Sequence, residues 1–245
     1  MAAAARLHRR RGRAAAGATL LEGPILLAEA VAGKATVRTV FGLESDERSR
    51  LLAGEAGADW VPVTERVLRR LSTTEEPQSP VAVIPIPEPC LPGGGHLVAA
   101  WGVTDPGNVG TLIRAAAAFG MGFVAGPGTA DPWAPKVLRA AAGGHWQTTV
   151  GFAADVDSLR GPDRVLAAAV VRGGSPPEAV HGRTGVCLLI GSEASGLPRQ
   201  VVEAADLLIT VPMPGGTESL NAAMVGVILA YETQRGKNGG GGPRD

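Results

Sequence analysis

The sequence predicts an α/β protein with a small first domain and a larger second domain built on a mostly parallel sheet. Runs of Val, Ile and Leu alternate with helical patterns, as in parallel sheets covered on both faces. The stretch 80–96 holds five prolines and three consecutive glycines, which favours a domain boundary. Hydrophobic residues make up 45% of the 245 residues and charged ones 19%, so the chain can bury a substantial core.

The first domain is predicted from alternating helical and strand patterns. Residues 20–33 have apolar positions at helical spacing and end at a glycine. Residues 35–43 and 58–63 are typical of short strands, and 65–75 of a second helix. We place a basic arm, this domain and the Pro/Gly linker at 1–17, 18–86 and 87–96.

The second domain, placed at 97–236 and followed by a disordered tail at 237–245, repeats the strand–helix pattern more regularly. Strands are predicted at 96–103, 122–128, 148–153, 164–171, 186–191 and 207–213. Helices are predicted at 107–120, 132–144 and 220–234. Ligands of such sheets bind at the carboxyl ends of the strands. We therefore expect a site where the loops 105–108, 191–193 and 212–221 meet.

Several function classes are excluded by missing motifs. The chain has neither a G-x-x-x-x-G-K-[ST] loop nor a G-x-G-x-x-G turn between a strand and a helix. Ser192 and Ser195 lack the G-x-S-x-G spacing of a serine hydrolase. Cys90 and Cys187 form no C-x-x-C pair, and no metal site is expected. No run of 18 uncharged apolar residues occurs, and we expect a soluble cytoplasmic protein without a membrane segment.

The formal net charge is zero, yet the N-terminal segment is strongly basic. Arginines precede the first acidic residue, Glu22, at positions 6, 9, 10, 11 and 13. Such a segment suits contact with phosphates, although a solvated, partly disordered terminus is equally compatible with it. The predicted RNA-binding residues are Arg9, Arg10, Arg11 and Arg13.

Three motifs of the second domain resemble those of the SpoU/TrmH branch of the SPOUT RNA methyltransferases. They are TDPGNVGTLIRAAAAFG at 104–120, LLIGSEASGLP at 188–198 and ITVPMPGGTESLNAAMVG at 209–226, in the family's order and strand-to-helix contexts. More weakly, LLEGPILLAEAV at 20–31 and VLRRLSTTEEPQSPVAVI at 67–84 are similar to the L30e-like RNA-binding domain of the ribosomal-RNA members.

The resemblance implies a trefoil-knotted α/β fold, S-adenosyl-L-methionine as methyl donor and ribose 2′-O-methylation by a homodimer. It places the cofactor on the main chain of the motif loops, where glycines permit close approach of an adenosine. The implied cofactor-binding residues are Gly126, Gly191, Val211, Met213 and Leu220.

The same resemblance implies a catalytic set of Arg114, Asn108, Glu193, Ser219 and Asn221. Arg114 would stabilise the 2′-oxyanion that develops during transfer. The family is often described with this arginine as general base, but a guanidinium with a pKa above about 12 is a poor proton acceptor. Glu193 would orient Arg114 or a ribose hydroxyl. Asn108, Ser219 and Asn221 could also cap their helices.

Two departures from the family pattern affect the motif loops: Ala194-Ser195-Gly196 replaces Gly-Glu-Gly, and Ala141 replaces a serine. Neither removes a catalytic group. Ribosomal RNA, 23S in particular, is the expected substrate because the tRNA members usually carry short extensions in place of the first domain. A tRNA 2′-O-methyltransferase and a non-catalytic RNA-binding protein of this fold are the alternatives. Self-resistance to a ribosome-targeting antibiotic is a sub-case that the Ala/Gly/Arg-rich composition also permits.

Overall fold

A computed structural model describes residues 2–235 and divides the chain into two compact units. Among these residues, the first unit contains 2–88 and Asp131–Gln147, and the second contains Pro89–Ala130 and 148–235. The change of unit after residue 88 lies within the expected linker. The segment 131–147, by contrast, belongs to the second domain by sequence but packs with the first unit. The tail expected at 237–245 lies outside the described residues.

The first unit is built on a four-stranded mixed sheet in the order β1-β4-β2-β3. Its strands are β1 (Ala18–Glu22), β2 (Thr39–Leu43), β3 (Asp59–Val63) and β4 (Val81–Pro85). β2 and β3 are parallel, whereas β4 lies between β1 and β2 and runs antiparallel to both.

Helices cover both faces of this sheet. They are α1 (Ala2–Ala5), α2 (Arg10–Ala16), α3 (Pro24–Ala32), α4 (Glu47–Glu55) and α5 (Glu65–Leu71). α3 and α4 share one hydrophobic core with Leu21 and Ala82, whereas α1 and α5 share another with Leu20 and Val81. Because neighbouring residues of a strand point to opposite faces, the two cores lie on opposite sides of the sheet.

Three elements of this unit differ from the sequence prediction. The helix expected at 20–33 starts only at Pro24, because residues 18–22 form the buried strand β1 and Gly23 turns the chain at φ 92°. Residues 81–85, in the proline-rich stretch, form the inner strand β4, since its prolines lie at 80 and 85, just before the strand and at its last residue. Helix α4 was not predicted, because its sequence ERSRLLAGE has a weak apolar pattern.

The N-terminal segment also differs from the expected arm. Residues 2–16 are mostly helical, and Arg13 is buried at 4% exposure. Its guanidinium donates to the Asp131 carboxylate from Nε and Nη2 and to the Leu7 and His8 carbonyls from Nη1. Arg13, predicted to bind RNA, is therefore buried, with four of its five N–H donors paired inside the first unit. This placement favours a structural role over contact with a phosphate.

The segment 131–147 packs along the edge strand β1. It contains helix α7 (Pro135–Ala141). Thr19 donates to the Trp133 carbonyl (2.6 Å), and Arg139 donates to buried Glu22 (3.1 Å). The segment therefore covers the edge strand β1 and contacts it through side-chain hydrogen bonds.

The second unit confirms the predicted parallel sheet, with six strands in the order β10-β8-β9-β5-β6-β7, all parallel. They are β5 (Leu97–Trp101), β6 (Gly122–Ala125), β7 (Val150–Phe152), β8 (Arg164–Ala169), β9 (Gly185–Gly191) and β10 (Leu207–Ile209). The helices of this unit are α6 (Pro106–Ala118), α8 (Arg199–Glu203) and α9 (Ala222–Arg235). All carboxyl ends of these strands meet at one edge, so the motif loops converge there.

Within residues 2–235, no helix combines the length and the apolar character that a membrane crossing requires. Over the same residues, no group of three or more His, Cys, Asp or Glu side chains is placed to hold a metal ion.

Candidate active site

A cavity of about 110 Å³ lies at the carboxyl ends of β8, β9 and β10. Its walls come from the loops after these three strands and from the first turns of α9. Of the predicted cofactor-binding residues, the structure brings Gly191, Val211, Met213 and Leu220 into this lining. Gly126, the fifth predicted residue, is not among the described residues that line the cavity. A Cβ at position 126 would lie 2.3 Å from the Trp101 ring, so packing against Trp101 by itself requires a glycine there.

The loop after β9 is a tight turn that requires Gly191 for its own closure. The Gly196 amide donates to the Ser192 carbonyl (2.9 Å), and the Ser195 amide donates to Ser192 Oγ (3.1 Å). A Cβ on Gly191 would lie 2.4 Å from backbone atoms of Gly196 and Leu197. The glycine therefore lets the turn fold back on its own strand, whereas the sequence suggested close approach to a ligand.

Three polar residues from different loops form a hydrogen-bonded cluster beside the cavity. The Asn108 amide donates to Oε1 of Glu193. The Asn221 amide donates to Oδ1 of Asn108 (3.0 Å) and more weakly to the same Glu193 oxygen (3.5 Å). Within the described residues, Oε2 of Glu193 accepts no hydrogen bond. The cluster therefore presents one free carboxylate oxygen, held in place by two amides.

The helix caps explain how this cluster is positioned. The Asp105 side chain caps α6 by accepting a hydrogen bond from the backbone N–H of Asn108 (2.8 Å). The Asn108 side chain is therefore left to bind Glu193. Asn221 caps α9 by accepting from the amides of Ala223 (2.9 Å) and Met224 (3.2 Å). One side chain thus stabilises a helix N-terminus and contacts the cluster. Ser219 is exposed and lines the cavity, but the cap of α9 is Asn221.

Arg114 makes no hydrogen bond to this cluster. It is exposed on α6, between buried Ile113 and Ala115. Among residues 2–235, no side chain or carbonyl pairs with its guanidinium. The carboxylate of Glu193, expected to orient it, is instead held by Asn108 and Asn221. All of its donors are consequently available to a ligand.

Two features of the site were missed by the sequence analysis. Ala169, Val170 and Val171 line the cavity after β8, and Val171 is 51% exposed at its rim. Their position at the carboxyl end of a predicted strand was the available signal. The hydroxyls of Ser192 and Ser195, 2.8 Å apart, stabilise the turn that carries Glu193.

The only cysteine in the strands at this edge is not a nucleophile. Cys187 is fully buried in β9, and burial raises the pKa of its thiol to about 12. A thiolate is therefore not formed near neutral pH.

The predicted RNA-binding residues Arg9, Arg10 and Arg11 belong to the first unit, where they are exposed.

Comparison with known proteins connects both units to one enzyme family. The model of the SpoU rRNA methylase family matches residues 95–231, and that of the MRM3-like substrate-binding domain matches residues 2–82. The 23S rRNA (guanosine(2553)-2′-O)-methyltransferase RlmP of Bacillus subtilis is 32% identical over 230 residues, which are 92% of each chain.

Two solved structures agree with the fold over nearly the whole chain. A putative TrmH-family RNA methyltransferase from Porphyromonas gingivalis has a TM-score of 0.85, 29% identity and 96% coverage of both chains. The SpoU methyltransferase AviRb from Streptomyces viridochromogenes, in complex with the cofactor AdoMet, has a TM-score of 0.86 and 26% identity, covering 98% of this chain and 97% of its own. The resemblance in the three motifs is confirmed, and the chain belongs to the SpoU rRNA methylase family of S-adenosylmethionine-dependent RNA ribose 2′-O-methyltransferases.

Proposed function

We propose that this protein methylates the ribose 2′-oxygen of a nucleotide in ribosomal RNA, 23S rRNA in particular. The observation that carries the proposal is the cavity at the strand ends, with the Asn108–Glu193–Asn221 cluster beside it. The relative RlmP acts on 23S rRNA by name and aligns over both units. A cytoplasmic location is part of the proposal, because it is where we expect the ribosomal RNA substrate.

The residues present fit S-adenosylmethionine. The cavity walls are largely apolar, with Val211, Met213 and Leu220 available to an adenine ring and the main chain at Gly191 available for hydrogen bonding. Glu193 and Ser219 supply polar groups to the same lining. When bound there, the cofactor supplies an electrophilic methyl group on a sulfonium centre.

The chain's own contribution to the reaction is orientation and electrostatics. The free Oε2 of Glu193 can accept a hydrogen bond from a ribose hydroxyl and hold its oxygen lone pair in position. Arg114, with every donor free, stabilises the negative charge that develops on the 2′-oxygen and can clamp the adjacent phosphate. The proton leaves to phosphate or water, because a guanidinium remains protonated.

A homodimer is part of the proposal, and α9 supports it. Met224 and Tyr231 are 59% and 51% exposed, and the half-buried Val227 and Ile228 lie between them on the same helix face. Such an apolar stripe is typical of a helix that packs on a partner. Sedimentation at micromolar concentration should give twice the 24.9 kDa protomer mass. A monomer at that concentration would contradict the dimer.

Single-turnover methylation of rRNA tests the role of Arg114. We expect Arg114→Ala to lose two to three orders of magnitude in rate, about the cost of one well-placed oxyanion donor. Arg114→Lys should recover only part of the rate, because lysine keeps the charge without the planar fork. Cofactor affinity should not change. Arg199→Ala, on exposed helix α8, is the matched control.

The outcomes separate the competing roles. A general base would give a rate that rises with pH as it deprotonates, with the profile shifted to lower pH in Arg114→Lys. A near wild-type rate for Arg114→Ala would show that Arg114 is an ordinary surface residue. Parallel reactions with rRNA and tRNA transcripts test the substrate class, and methylation of tRNA alone would overturn the ribosomal assignment.

A further inference from the structure

Charge is distributed unequally over the two faces of the first unit's sheet. α1, the turn Arg6–His8 and α5 share the core on one face, and α2 packs against that turn. The only acidic residue within these four segments is Glu65. Their exposed basic residues are Arg6, Arg9, Arg10, Arg11, Arg66, Arg69 and Arg70. The N-terminal part of this set was predicted from the sequence, whereas the α5 part was not, because the two parts are far apart along the chain.

The opposite face has no such excess among its described helices. α4 carries Arg48 and Arg50 together with Glu47 and Glu55, and α3 carries Glu29 without a basic residue. Of these two sets of helices, the one that contains α1, α2 and α5 therefore carries the excess of positive charge, and we call its surface the basic face. The remaining helix of the unit, α7, carries Lys136 and Arg139, and Arg139 is paired with Glu22.

Specific contacts join the two parts of the basic face. His8 Nε2 donates to the Leu71 carbonyl at the end of α5 (2.8 Å). Leu7 is buried in the same core as Leu68 and Leu71. Arg13 fixes the other end of the segment through Asp131. The arginines thus project from one packed surface and not from an extended arm.

Most of the α5 charge is not neutralised. Arg69 lies 3.8 Å from Glu65, with both side chains largely exposed, which is a weak pair. Within the described part of the chain, Arg66 and Arg70 make no ion pair or side-chain hydrogen bond. Exposed guanidinium groups without partners are suited to bidentate binding of phosphate oxygens.

We propose that the basic face is the RNA-docking surface of this protein and that Arg66 and Arg70 extend the binding site from α2 onto α5. This inference rests on the proposed function for the identity of the RNA. No Phe, Tyr or Trp occurs within α1, α2, α5 or the turn Arg6–His8, so bases have no aromatic platform here. The face accordingly binds the phosphate backbone and positions the RNA without reading its sequence.

Two double variants of equal charge test the proposal. Arg66→Gln/Arg70→Gln removes two cations from the basic face, and Arg48→Gln/Arg50→Gln removes two from the opposite face. Glutamine keeps helix propensity, so both should fold. Equilibrium binding of an unmodified 23S rRNA transcript is measured from about 50 to 200 mM salt, with cofactor affinity and thermal melting as controls.

For the α5 variant we expect about tenfold weaker binding near 0.15 M salt and a log–log salt slope reduced by roughly 1.5, the value for two phosphate contacts. The α4 variant, Arg48→Gln/Arg50→Gln, should match wild type in both RNA affinity and salt slope. Equal losses in the two variants would indicate a general charge effect and overturn the proposal, as would wild-type binding by the α5 variant.

The same experiment distinguishes this inference from the proposed function. Methylation of the transcript by the wild type, with unchanged binding by the α5 variant, would retain the function and reject the basic face. Binding that depends on Arg66 and Arg70 without any methyl transfer would retain the basic face and reject the function.

Discussion

Replacing Arg13 by alanine should destabilise the first unit and leave the cofactor site intact. The side chain is 5% exposed and donates to one carboxylate and two carbonyls, so its removal leaves Asp131 without its cation. Breaking a buried ion pair in this way costs about 3–5 kcal/mol. Asp131 is still 16% exposed and keeps the Trp133 amide as a donor (2.9 Å), which places the expected cost near the lower value.

Calorimetric unfolding measures this effect. A loss of about 3 kcal/mol corresponds to roughly 6–12 °C in Tm for a protein of this size. Arg10→Ala and Arg11→Ala, exposed on the same helix, should each change stability by less than about 0.5 kcal/mol. Arg13→Lys should fall between wild type and Arg13→Ala, because an ammonium cannot reproduce the paired donors from Nε and Nη2.

One result would refute this reasoning. If Arg13→Ala melted within about 2 °C of wild type and bound RNA as weakly as Arg10→Ala, Arg13 would be an RNA contact, as the sequence alone had suggested. A large drop in Tm with unchanged cofactor affinity would support the buried anchor.

Further predictions concern titration, backbone packing and thiol reactivity. Burial lowers the pKa of His145 from 6.5 to about 4. The unfolded chain therefore binds a proton at a higher pH than the folded one, and the free energy of unfolding falls as the pH drops from 6.5 to about 4. The loss is about 3 kcal/mol, and denaturant titrations of wild type and His145→Gln should show it only in wild type. Gly191→Ala should weaken cofactor binding at least about tenfold in calorimetry, since its Cβ would lie 2.4 Å from facing backbone. Gly54→Ala, into open space on α4, should leave cofactor binding unchanged. Iodoacetamide should modify exposed Cys90 and spare Cys187 in the native protein, and labelling of both in peptide mass spectra would contradict the burial argument.

The second unit was predictable because its information is local. Each apolar strand run is bounded by glycine, proline or a cap, and in a parallel sheet every strand is buried in the same way. From that pattern the meeting of Asn108, Glu193 and Asn221 at one edge follows directly, since all carboxyl ends lie there. The hydrogen bonds among these three residues depend on side-chain positions, which the periodicity of the sequence does not predict. For the same reason the sequence did not show that Glu193 binds the two asparagines in place of Arg114.

The first unit was predicted less well because its decisive contacts are distant in sequence. β1 and β4 were obscured by neighbouring helical and proline-rich patterns, yet they pair in register from Ala18↔Pro85 to Glu22↔Val81. A basic residue near a chain terminus usually belongs to a solvated surface. Arg13 is an exception only because Asp131, 118 positions away, lies beside it.

Local residue types therefore specified the family motifs, the parallel sheet and the edge at which its ligands bind. Long-range packing specified which arginines are buried, which remain free and which helix covers the edge of β1. The physical reason is that strand and helix patterns arise from each residue's own backbone preference and burial. Ion pairing, in contrast, requires two groups that can be far apart in sequence to meet. Only the folded chain brings Arg13 to Asp131 and α5 to the N-terminal helices.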